Sequence, residues 1–155
     1  MAGDMDPVAD LELLRTQRVQ LASRLRTPWW YVAATFVAWG LAFAMPIASH
    51  YLVGAGAWCA LLAIVVLYVA QYALARASGV DVGTRTWQYP SGRVWTIALV
   101  IVIVAGTGME AFLFDHGSLV AAIWVAVIAT LAGTACWIGH LRGIRRDVET
   151  GRGVR

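Results

Sequence analysis

The chain alternates between long apolar stretches and shorter polar segments. The apolar stretches cover residues 29–47, 52–75, 94–114 and 117–139. A helix of about 20 residues rises about 30 Å, which is the thickness of the hydrocarbon core of a bilayer. A segment surrounded by lipid must satisfy its backbone hydrogen bonds internally, so helices are expected. The pattern therefore predicts an all-α fold, an integral membrane four-helix bundle over residues 29–139.

The polar segment that precedes the first stretch, residues 1–28, is predicted to form an amphipathic cytoplasmic helix. Its leucines recur at spacings of 3, 7 and 4 and form one apolar stripe, while arginines flank that stripe. Such a helix either lies on the membrane surface or pairs with a second copy or a cytoplasmic partner. The residues expected to make these contacts are Leu11, Leu14, Arg15, Arg18, Leu21 and Leu25.

Composition supports a membrane environment. Hydrophobic residues make up 60% of the chain and charged residues 14%, and the mean hydropathy is +0.68. Soluble chains are about half apolar and about a quarter charged, so a water-soluble fold of this length could not bury this much apolar surface.

The arginines predict the orientation of the chain. All 12 basic residues are arginines, and none lies between the first and second stretches or between the third and fourth. Because positive residues flank the cytoplasmic ends of membrane helices, both termini are predicted to be cytoplasmic in a multi-pass protein of the cell membrane. Residues 140–155 then form a basic cytoplasmic tail. Arginine without lysine is typical of GC-rich coding sequences and suggests a bacterial source.

The same distribution argues against nucleic-acid binding. Arginines beside membrane helices usually serve as topology signals and contact lipid headgroups. The lipid bilayer is therefore the expected partner, together with a cytoplasmic protein or a second copy of the chain. Small residues repeat every four positions, as in Ala34, Ala38 and Ala42 or in Ala129 and Gly133, and they fit either packing within the bundle or homo-oligomerisation.

Few residues in the apolar stretches could carry chemistry. The centres of the four predicted helices contain no Asp, Glu, Lys, Arg or His, and the cysteines Cys59 and Cys136 form no paired motif. No catalytic residue, metal or cofactor is predicted. His140 is expected at the end of the fourth helix, as a partner for that helix C-terminus.

One polar cluster is expected at the outer face of the membrane. Glu110 lies near the end of the third stretch, Asp115 and His116 follow in the turn, and His50 ends the first stretch. Two imidazoles and two carboxylates could bind a divalent metal or exchange protons. The alternative is that all four are hydrated turn residues, since their spacing matches no metal motif.

A short resemblance adds to this interpretation. The run Arg26-Thr27-Pro28-Trp29-Trp30-Tyr31, with Ser78-Gly79-Val80 after the second stretch, is similar to small uncharacterised four-helix membrane proteins of actinobacteria. The resemblance implies the four-helix topology and carries no activity that could be transferred to residues of this chain.

Two functional hypotheses follow from the sequence. The first is a non-enzymatic membrane anchor or subunit for a cytoplasmic partner, because most of the polar chain lies on the predicted cytoplasmic side. The second is a small transporter or membrane enzyme that uses the Glu110, Asp115, His116 and His50 cluster.

Overall fold

The computed structural model describes Glu12, Thr16, Gln17, Gln20 and residues 27–78 and 89–150. Glu12, Thr16, Gln17 and Gln20 are helical. The six residues predicted to contact the membrane surface or a partner lie outside the described residues: Leu11, Leu14, Arg15, Arg18, Leu21 and Leu25.

Four long helices account for most of the described chain. They are α1 (Trp29–Tyr51), α2 (Ala55–Ser78), α3 (Pro90–Asp115) and α4 (Leu119–Thr150). Each is long and apolar enough to cross a membrane, and the described residues include no strand. The prediction of four long apolar helices is confirmed, and their length and composition indicate a multi-pass membrane protein.

The helices begin and end where the local sequence allows. Pro28 precedes α1 and Pro90 occupies the first turn of α3, where a missing N–H costs nothing and the fixed φ suits a helix. Gly54 and Gly117 have φ angles of 84° and 74°, a conformation that favours glycine, and they form the short turns between α1 and α2 and between α3 and α4. The chain therefore folds as two helical hairpins.

The two hairpins meet through α1 and α4. Within each hairpin the helices pack closely, α1 with α2 and α3 with α4, while α1 also packs along α4 and touches α3. The helix α2 consequently lies at one edge of the bundle and has few buried residues. The end where the two short turns lie is called the hairpin end below, and the opposite end, where α3 begins and α4 ends, is called the arginine end.

The core lies between α1, α3 and α4. Trp39 and Phe43 of α1 pack with Leu99 of α3 and with Ala129 and Cys136 of α4. Large apolar side chains also cover the outside of the bundle, where many are more than half exposed. Helices that are apolar on all sides are typical of membrane spans.

Small residues allow the helices to approach closely. Ala38, Ala122, Ala129 and Gly133 are buried within the chain. A Cβ atom on Gly133 would lie 3.3 Å from the Trp39 ring, so this glycine leaves the space that the indole occupies. These positions support packing inside the bundle, the first of the two interpretations of the small-residue pattern.

Three helices extend beyond their predicted bounds at the arginine end. The second ends at Ser78 rather than at 75. The third begins at Pro90 rather than at 94, and the fourth continues to Thr150 rather than ending at 139. Much of the predicted tail is therefore helical. The expectation that His140 lies at a helix C-terminus is wrong, because α4 continues for more than two turns after it.

Candidate functional site

The residues of the predicted outer-face cluster differ in burial. Glu110 is fully buried, whereas His50, Asp115 and His116 are exposed. The His116 Nδ1 atom lies 2.8 Å from the Phe112 carbonyl oxygen, and the His50 ring centre lies 5.1 Å from that of Phe114. Among the described residues, no group of three His, Cys, Asp or Glu side chains could hold a metal ion. Burial thus distinguishes Glu110 from the other three residues of the predicted cluster.

Glu110 faces the interior because of its register on α3. The buried positions of this helix are Gly92, Leu99, Gly106 and Glu110, at helical spacings of 7, 7 and 4. A Cβ atom on Gly106 would lie 2.9 Å from the Phe43 ring and 3.0 Å from the Ala129 Cβ, so this face of α3 contacts both α1 and α4. Glu110 lies one turn nearer the hairpin end on the same face.

Neither carboxylate oxygen of Glu110 has a hydrogen-bond partner among the described residues. A buried carboxylate without a partner is costly, since desolvation removes its hydration and nothing replaces it. An acid at such a position is retained only if it binds a proton or a cation, or if water reaches it. Among the described residues, Glu110 is therefore the interior side chain best placed to bind a proton or, with the help of water, a small cation.

The second buried acid of the described chain, Asp147, has its partners. It lies in the last turns of α4, and its carboxylate accepts hydrogen bonds from the Ser91 N–H at 2.8 Å and from the Ser91 hydroxyl at 2.7 Å. Ser91 is the second residue of α3, so Asp147 satisfies free donors at that helix N-terminus and places a negative charge at its positive end. Asp147 thus joins the ends of α3 and α4.

His140 reinforces the same junction. Its Nδ1 atom lies 2.9 Å from the Gly92 carbonyl oxygen, so this nitrogen carries a proton and donates it. The Thr96 hydroxyl donates to the same carbonyl and lies 3.1 Å from the imidazole. His140 is therefore buried and bonded to α3, and its contacts indicate a structural role.

Glycines bring the two helices together at this end. A Cβ atom on Gly143 would lie 3.1 Å from the Ser91 backbone, and one on Gly139 would lie 2.6 Å from the Trp95 ring. Sequence reasoning missed this contact and the role of Asp147. The spacing of Gly139 and Gly143, a small-xxx-small pair, is the signal that could have identified it.

The tryptophans and tyrosines of the four helices fall into two groups by burial. Trp29, Tyr51, Trp58 and Tyr68 are exposed, as interfacial anchors would be. Tyr31 is instead buried, and its hydroxyl accepts a hydrogen bond of 2.7 Å from the Trp137 indole. This bond links α1 to α4 near the arginine end.

No family model matches the chain, and no curated protein or solved structure has significant similarity to it. The resemblance to small membrane proteins of actinobacteria stays a prediction.

Proposed function

We propose that the chain is a multi-pass protein of a bacterial cell membrane whose interior carboxyl group, Glu110, binds and releases a proton or a small cation. The observation that carries the proposal is the complete burial of Glu110 with both oxygens unpartnered among the described residues. Ionisable residues inside membrane spans are costly and are usually kept for function.

The orientation proposed for the chain has both ends in the cytoplasm. It is supported by the position of all 12 arginines, none of which lies near the hairpin end. They precede α1, lie between the last turn of α2 and the first turn of α3, or lie in and beyond the last turns of α4. In this orientation the hairpin end faces outward. Glu110 lies five residues before the end of α3, about 8 Å along the helix axis, and so lies just beneath the outer membrane surface.

The packing supports exchange of the ion with the outside rather than passage through the bundle. Phe43 is almost fully buried and lies against Gly106, one turn below Glu110. A neutral Glu110 is compatible with the close contact of α1, α3 and α4, whereas a charged one would attract water into it. We therefore propose that Glu110 takes up and releases protons or cations from the outside. Of the four residues in the second sequence hypothesis, a transporter or membrane enzyme, this proposal uses Glu110 alone.

Chemical modification of Glu110 tests this proposal. A hydrophobic carbodiimide partitions into the bilayer and adds to protonated carboxyl groups there. In membranes, we expect an adduct on Glu110 that disappears in Glu110→Gln and persists in Asp115→Asn, the matched exposed control. The yield of this adduct is measured by mass spectrometry of the peptide that contains Glu110. It should fall as the pH of the outer solution rises or as sodium is added.

Two results would contradict the proposal. Modification of Glu110 by a water-soluble carbodiimide as readily as Asp115, without an adduct from the hydrophobic reagent, would mean that Glu110 is a hydrated carboxylate. An adduct whose yield is independent of both pH and added cations would mean that Glu110 is a static neutral acid with a purely structural role.

The other class predicted from the sequence is an anchor or subunit for a cytoplasmic partner. Its contacts would come from the N-terminal helix, with its leucine stripe, and from the arginine-rich inner face. That stripe lies outside the described residues, so this hypothesis stays a prediction.

A further inference from the structure

An open groove runs between α3 and α4 at the arginine end. Its volume is about 960 Å³. One part has apolar walls, formed by Val94, Trp95, Ala135 and Ile138. The other part is lined by Arg142, Arg145 and Arg146 together with one acid, Glu149.

The three arginines of this groove differ in whether they form an ion pair. Arg145 donates a 2.9 Å hydrogen bond to Glu149, which neutralises its charge. Arg142 and Arg146 are exposed, and neither forms an ion pair with a described residue. Asp147 is buried beside Ser91 rather than lining the groove, so its carboxylate does not compete for these two guanidinium groups.

The groove changes from apolar to basic along the axis of α4. Ala135, Ile138, Arg142 and Arg146 follow one another along one side of α4 at spacings of 3 or 4 residues. Ile138 and Arg142 are about 6 Å apart along the helix axis. The apolar walls therefore lie toward the membrane interior, and the arginines lie toward the headgroup region.

We propose that this groove binds one anionic phospholipid. Its phosphate lies between Arg142 and Arg146, and an acyl chain lies against Val94, Trp95 and Ile138. Guanidinium groups bind phosphate oxygens in pairs of hydrogen bonds, and basic pockets between membrane helices recognise anionic headgroups. Charge complementarity selects an anion, and the adjoining apolar walls favour a lipid over free phosphate. This site is separate from Glu110.

Lipid binding to the purified full-length chain tests the proposal. In neutral detergent, native mass spectrometry is used to titrate the delipidated protein with phosphatidylglycerol, phosphatidylcholine or soluble glycerol phosphate. One phosphatidylglycerol should bind preferentially, and glycerol phosphate should not displace it. We expect Arg142→Gln or Arg146→Gln to weaken phosphatidylglycerol binding by about fivefold or more, and Arg76→Gln by less than about twofold.

The control is matched because Arg76 is also exposed and lies at the same end of the bundle, in the last turn of α2. Equal losses in all three variants would indicate a diffuse electrostatic attraction and overturn the proposal. Equal binding of phosphatidylcholine would do the same. Displacement of phosphatidylglycerol by glycerol phosphate would show that the groove binds phosphate without a contribution from the acyl chain. That result would also overturn the proposal of a lipid site. The thermal midpoint of each variant should match that of the wild type, since these side chains are exposed.

Discussion

Gly106→Ala is expected to destabilise the bundle by about 1–3 kcal/mol, as overpacking of a filled core does. The added methyl group would lie 2.9 Å from the Phe43 ring and 3.0 Å from the Ala129 Cβ. Neither neighbour can move easily, because Phe43 is buried and the Ala129 Cβ is fixed to the α4 backbone. The three helices must therefore separate. Unfolding by denaturing detergent, followed by circular dichroism, gives the change in free energy.

The matched control is Gly108→Ala on the same helix. A Cβ atom at Gly108 would meet nothing within 4 Å. Alanine favours a helix over glycine by about 1 kcal/mol, so this variant should be neutral or slightly more stable. If both variants had the same stability, close contact at Gly106 would not hold α1, α3 and α4 together.

Asp147→Ala is expected to cost about 1–3 kcal/mol, because it leaves the Ser91 N–H and hydroxyl of α3 without their acceptor. Ser91→Ala should cost less, since it keeps the bond from the backbone N–H. Asp147→Asn should lie between the wild type and Asp147→Ala, because the amide retains one acceptor oxygen. The same unfolding measurement ranks the three variants.

Glu149→Ala is the matched control for Asp147, one half-turn away on α4. Glu149 forms an exposed ion pair with Arg145, and such pairs contribute about 0.5 kcal/mol or less when they join residues i and i+4. A cost for Asp147→Ala no greater than that for Glu149→Ala would show that the junction of α3 and α4 does not depend on this cap.

The sequence was sufficient to predict the four helices but not which of their sides are buried. Length and uniform apolarity identify each span, as in α3, where apolar residues fill nearly the whole stretch. That uniformity also removes the contrast that would indicate the buried side. Glu110 could therefore be placed near the predicted outer interface by counting residues, whereas its burial depends on Gly106 and on contacts with α1 and α4.

The arginine end was harder to predict for a different reason. Residues 140–150 are rich in charge and resemble a tail when their local sequence is considered. These residues are helical and contact α3, which lies about 50 residues earlier in the chain. The contacts are made by His140, Gly143 and Asp147. Contacts of such sequence separation leave no local pattern, although the pair Gly139 and Gly143 indicates a close helix contact.

The central claim is that the chain crosses the membrane four times with both ends in the cytoplasm. Labelling of single cysteines with a membrane-impermeant maleimide tests it most directly, after replacement of Cys59 and Cys136 by alanine. Val53→Cys and Ser118→Cys, in the two short turns, should react in intact cells, whereas Thr150→Cys should react only after lysis. Reaction of Thr150→Cys in intact cells, or reaction of the two turn positions from opposite sides, would contradict the claim.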